Sequence, residues 1–105
     1  MIRLSKYRAI PTKLDGITFD SKREAAHYAV LKLRVKAKLI SDLVVHLRYD
    51  LCVNGTKIGQ YEADFTFIED GRRKIVDVKG FDTPLSRWKR KHVAAQYGLM
   101  VEIWK

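Results

Sequence analysis

Asp64, Asp77 and Lys79 are the residues whose types and spacing best suit this chain to chemistry. Asp64 stands in Ala63-Asp64-Phe65, and Asp77-Val78-Lys79-Gly80 closes an apolar run. Between them lies Asp70-Gly71, a dipeptide that favours a two-residue hairpin because both central positions need φ > 0. With that turn, Glu69 faces Arg72, and counting back sets Asp64 opposite Asp77. Side chains alternate along a strand, so Asp77 and Lys79 share a face that Asp64 joins across the ladder. Directly opposed Cβ atoms lie about 4.5 to 5.5 Å apart, where two carboxylates repel. A divalent cation removes that repulsion. Carboxylate oxygens and a backbone carbonyl, here that of Val78, suit Mg²⁺, with Mn²⁺ as a substitute. Such an ion lowers the pKa of a bound water and polarises a phosphoryl oxygen. Lys79 is then placed to orient or deprotonate the attacking water, or to stabilise charge on the phosphate. The same register sets Glu62 opposite Lys79, as its salt-bridge partner or an extra ligand.

The elements that must position these residues are legible in the pattern. A helix begins at Ser21, which has capping-box spacing to Glu24. Glu24, Tyr28, Leu31, Val35 and Leu39 fall on one stripe at helical spacing, and Ala26, Ala29, Leu33 and Ile40 make a second. A helix greasy on two sides is either sandwiched or a homodimer contact. Glu24 has two readings: the return half of the capping box, or a carboxylate carried inward, where it must pair, neutralise or meet a metal. Strands are expected at residues 44–53, 57–68, 73–78 and 99–104, with Asn54-Gly55 as another hairpin turn. A second helix is expected over residues 85–97, stopped by Gly98. Its apolar face collects Leu85, Trp88, His92, Ala95, Gln96 and Leu99, with Lys89 at the edge and Arg87, Arg90 and Lys91 pointing away. An inward amide needs partners, so Gln96 is a candidate to support the metal site or touch a substrate phosphate. His92 reads as a core histidine, and His27 and His46, without zinc-ligand spacing, are assigned no role.

The chain has 105 residues, enough for one domain with a modest core. Its 47% hydrophobic content is that of a folded globule, and its net charge of +9 favours a polyanion, nucleic acid first among them. Residues 1–16 read as an irregular basic arm, in which Arg3, Lys6 and Arg8 are candidates for phosphate contact. Lys22, Arg87, Arg90 and Lys91 join them. Cys52 is the only cysteine, which excludes an intramolecular disulfide and a cysteine-rich zinc site. No apolar run approaches the roughly 18 residues that span a bilayer, and no signal-peptide pattern opens the chain, so a cytoplasmic location is expected. The inventory holds no Gly-rich phosphate loop, no nucleophile elbow and no cysteine with a base partner.

A glutamate on a helix after Phe19-Asp20-Ser21-Lys22, an aspartate in a strand, then Asp77-Val78-Lys79 resembles the PD-(D/E)XK nuclease superfamily. Small phage-encoded endonucleases are nearest in feel, with distant likeness to phage junction resolvases. The resemblance covers the chain from residue 17 onward and implies the restriction-endonuclease-like αβββαβ core: a mixed four-stranded sheet flanked by helices. It implies that Asp64 and Asp77 are the motif acids, Lys79 the motif lysine, Glu24 the helix glutamate of some branches, and Gln96 a further polar residue. Ala63 replaces the usual proline and Asp77 the usual glutamate. The expected function is a Mg²⁺-dependent DNA endonuclease, structure-selective or nicking, in the host cytoplasm if phage-encoded. The competing expectations are a non-catalytic basic DNA-binding module and a structural subunit of a phage or transposition complex.

Overall fold

Three dipeptides set the hairpins, each with both residues in the left-handed region: Asp15-Gly16 (φ 53° and 75°), Asn54-Gly55 (50° and 79°) and Asp70-Gly71 (52° and 75°). Positive φ at both positions gives a twist that matches the flanking strands. The computed structural model describes residues 10–105. The first turn joins β1 (Thr12–Leu14) to β2 (Ile17–Phe19), with Leu14 paired to Ile17. This corrects the reading of the arm as irregular over its described part, residues 10–16, since Asp15-Gly16 forms the turn of a hairpin. Arg3, Lys6 and Arg8 lie outside the described residues.

After the hairpin come α1 (Lys22–Lys36), β3 (Ser41–Val53), β4 (Thr56–Glu69), β5 (Arg72–Val78), α2 (Pro84–Tyr97) and β6 (Val101–Trp104). The sheet order is β3-β4-β5-β6, antiparallel except for the parallel β5–β6 pair that the α2 crossover requires. The expected αβββαβ core with a mixed four-stranded sheet is present. Ser21 caps α1 by accepting from the Glu24 amide at 3.1 Å, and α2 ends at Gly98 in the left-handed conformation (φ 66°).

Packing divides the core in two. Phe19, Ala25, Tyr28, Leu31, Ile40, Phe65, Phe67 and Val76 gather around α1. Leu51, Tyr61, Ala63 and Ile75 gather around Val93 of α2. Ile75 and Val76 are neighbours on β5, so the two clusters occupy opposite faces of the sheet. On β4, however, Tyr61 and Ala63 face α2 while Phe65 and Phe67 face α1. Strict alternation would put all four on one face, so the strand inverts its facing at Asp64. β3 does the same: Leu43 and Val45 pack toward α1, Tyr49 toward α2. The inversion falls at His46, whose φ is 58°.

The stripe Glu24, Tyr28 and Leu31 is buried as expected, with Val35 partly so. The second stripe is not sandwiched: Ala26, Ala29 and Leu33 are exposed. The helix stops at Lys36, so Leu39 and Ile40 belong to the following turn, and only Ile40 turns inward.

Candidate metal centre

The paired inversion of β3 and β4 creates the site. The ladder joins Val45 to Phe65 and Leu47 to Ala63, leaving His46 and Asp64 facing each other between those pairs. α1 brings Glu24 over the same spot, held in place by the Ser21 cap and by Ala25 and Tyr28 in the core. Glu24 is only 4% exposed, and its Oε1 lies 2.7 Å from His46 Nε2. One ligand atom from each of Glu24, His46 and Asp64 falls within 4.8 Å of the others. The three come from three rigid elements.

Asp64 Oδ2 accepts the Val78 amide hydrogen at 2.7 Å. Burial drives the Asp64 pKa up to about 7; the charges of Glu24 and Asp77 push the same way, against the Val78 bond and Lys79. Burial also raises Glu24, more than its bond to His46 lowers it. Both acids therefore hold protons more tightly than a free carboxyl, because burial outweighs what Lys79 and His46 contribute in the other direction. Two carboxylates and an imidazole are donors that fit a divalent cation, and its charge would relieve both acids.

A cavity of about 670 Å³ opens beside this cluster. Glu24, Asp64, Val78, Lys79 and Gly80 line it, with Lys22, Arg23 and Phe81 among its other walls. A Cβ built on Gly80 would lie 3.1 Å from Arg23 Nη1, so the bare glycine lets that guanidinium lie close.

The pairing of Asp64 with Asp77 needs correction. The β4–β5 register is the expected one, from Glu69–Arg72 to Phe65–Val76, but the ladder ends there. Asp64 turns with the strand inversion. Asp77, 2% exposed, stays on the α2 side and accepts from the Tyr61 hydroxyl at 2.6 Å. Burial and the Asp77 charge raise the Tyr61 pKa, so the phenol remains a donor. Lys79 Nζ lies 3.9 Å from Asp77 Oδ2 and lines the cavity, which links the two acids through one ammonium.

Other expected site residues fall elsewhere. Glu62 pairs with Arg48, across β3, and not with Lys79; the strand inversion takes it away. Gln96 is exposed and braces the edge strand: its Oε1 accepts from the Cys52 amide at 2.8 Å, and its Nε2 donates to the Asp50 carbonyl at 3.1 Å. It supports neither acid. Arg90 does not point away; it makes a two-pronged pair with Asp82 at 3.0 and 2.7 Å, its side chain 13% exposed. Its guanidinium holds the Asp82 carboxyl below the usual range. Lys89 is half-buried, Arg87 and Lys91 are exposed on α2, and none of the three lines the cavity. Lys22 does.

His46, Tyr61 and Arg23 are the residues that sequence reasoning missed. Counting back from Asn54-Gly55 puts His46 opposite Ala63. A bulge between Leu51 and Cys52 moves it one residue, to face Asp64. The hairpin was the available signal, and the bulge hid it.

The profile of a family described as "Protein of unknown function (DUF1064)" matches residues 4–105. The chain belongs to that family. No curated protein and no solved structure matches it. Among the described residues, no helix is long and apolar enough to cross a membrane.

Proposed function

We propose that this DUF1064 chain is a metal-dependent DNA endonuclease that hydrolyses phosphodiester bonds, nicking or cutting by DNA structure. The observation that carries the reading is the meeting of Glu24 and Asp64, from α1 and β4, in the wall of a cavity that Lys79, Lys22 and Arg23 also line. Acids that would hold a cation thus sit beside bases that would hold a phosphate. The Asp77-Val78-Lys79 run and its likeness to the PD-(D/E)XK superfamily support the same conclusion.

Glu24 and Asp64 are the residues that would hold the cation, Mg²⁺ or Mn²⁺. The Val78 carbonyl leaves the strand on the same edge as the amide that meets Asp64. A dication there supplies charge neutralisation and polarises a phosphoryl oxygen. The reaction joins a water oxygen to phosphorus and breaks one phosphorus–oxygen ester bond; a proton leaves the water and another meets the departing oxygen. Lys79 places positive charge where the phosphate gains negative charge. Asp77, fixed by Tyr61, keeps that ammonium in position. Lys22 and Arg23 hold the neighbouring backbone.

The test is nicking of supercoiled plasmid and of flap and four-way DNA with Mg²⁺ or Mn²⁺. Asp64→Asn and Lys79→Ala should each cost roughly 100-fold or more in rate, with DNA still bound, and Asp77→Asn should also be impaired. Wild-type protein that binds these DNAs and leaves all of them whole overturns the proposal, and a binding module or a structural subunit then takes its place.

A further inference from the structure

His46 distinguishes this site from one built of carboxylates alone. The residue sits mid-strand with a φ of 58°, a conformation that costs energy for a side chain bearing a Cβ. That backbone, together with the ring of Phe19 at a centroid distance of 5.7 Å, directs the imidazole at Glu24. A histidine needed only to neutralise Glu24 would explain the 2.7 Å bond. It would not explain why Asp64, already desolvated, is turned into the same space by an inversion of two strands. Ligands bound to one ion at about 2.1 Å each lie no more than roughly 4.2 Å apart. The Glu24, His46 and Asp64 donor atoms lie within 4.8 Å, close to that span.

We infer that His46 is a direct nitrogen ligand, with Glu24 and Asp64, of a divalent cation, and that the site therefore favours Mn²⁺ and its first-row neighbours over Mg²⁺. Imidazole nitrogen suits transition ions, whereas Mg²⁺ takes oxygen and parts with its waters reluctantly. The neutral ring is the ligand, so the bond between His46 and Glu24 gives way to ligation of one ion by both, with release of a proton. This inference refines the metal part of the nuclease reading and leaves its substrate untouched.

The decisive measurement is pulsed electron paramagnetic resonance of Mn²⁺ on the full-length, metal-stripped protein. Wild type should show a nitrogen coupling on the bound ion. His46→Asn, whose replacement tolerates positive φ, should lose that coupling. Titration calorimetry should show the ratio of Mn²⁺ to Mg²⁺ affinity falling roughly tenfold or more in His46→Asn, mainly on the Mn²⁺ side. Mn²⁺ bound by wild type through oxygen alone, or no Mn²⁺ bound at all, overturns the inference even if the variant fails to fold. A ratio unchanged in a folded variant does the same. DNA left intact by a protein that binds Mn²⁺ through His46 defeats only the nuclease reading.

Discussion

At the scale of single residues, Asp64 is where burial and the proposed chemistry meet. Its pKa rises from 3.8 unfolded to about 7 folded, so the folded chain binds this proton more tightly. The sign follows: its contribution to stability is complete below about pH 4 and is lost as pH climbs through about 7. A shift of that size corresponds to an energy on the order of a few kcal/mol. The melting temperature of Asp64→Asn should therefore gain on that of the cation-free wild type between pH 5 and pH 7.5. A difference that stays constant over this range would show that Asp64 is not desolvated as described. His46 shows the limit of residue spacing. No neighbour in sequence marks it, because its partners lie 22 residues before and 18 after, on other elements.

Among the elements, α2 carries the largest disagreement between pattern and packing. Its ends are where Pro84, the Thr83 cap and Gly98 put them. Its inner face is not the one that Leu85, Trp88 and Gln96 outlined. Val93 is the buried residue, Arg90 turns inward to Asp82, and Leu85 and Trp88 stay exposed at 61% and 52%. Polar bonds to the loop and to the edge strand outweigh a modest apolar stripe. Gln96 makes this testable. Replacing it with Ala takes the side-chain acceptor from the Cys52 amide near the end of β3, while the Asp50 carbonyl keeps its bond from the Tyr97 hydroxyl. Unfolding by urea should show a loss of about 1 kcal/mol, with Mn²⁺ affinity and nicking unchanged. A loss of metal affinity would return Gln96 to the site. The strands teach the converse lesson: turn dipeptides located both hairpins of the main sheet, yet nothing in the period of β3 or β4 announced the inversion at His46 and Asp64.

For the whole molecule, the net charge of +9 on 105 residues predicts how the partner is held. If about six phosphates are engaged, affinity for DNA should fall roughly a thousandfold between 50 and 200 mM salt. Fluorescence anisotropy with a labelled duplex measures it, and a flat response would exclude a polyanion as the main partner. The αβββαβ order and the topology of the main sheet were legible in the chain, the β1–β2 hairpin was not, and Glu24, Asp64 and Lys79, which line the cavity, were among the candidates it offered. Turn chemistry, capping and periodicity are local, and each acts over a few residues that lie together in sequence. What folding alone decided is which acid meets which. A single-residue bulge moved His46 into line with Asp64, and a reversal of facing in β4 brought Tyr61 to Asp77 and turned Asp64 away from it. Such events shift every side chain beyond them to the other face, and their cost is met by packing on both sides of the sheet, which no short stretch of sequence contains.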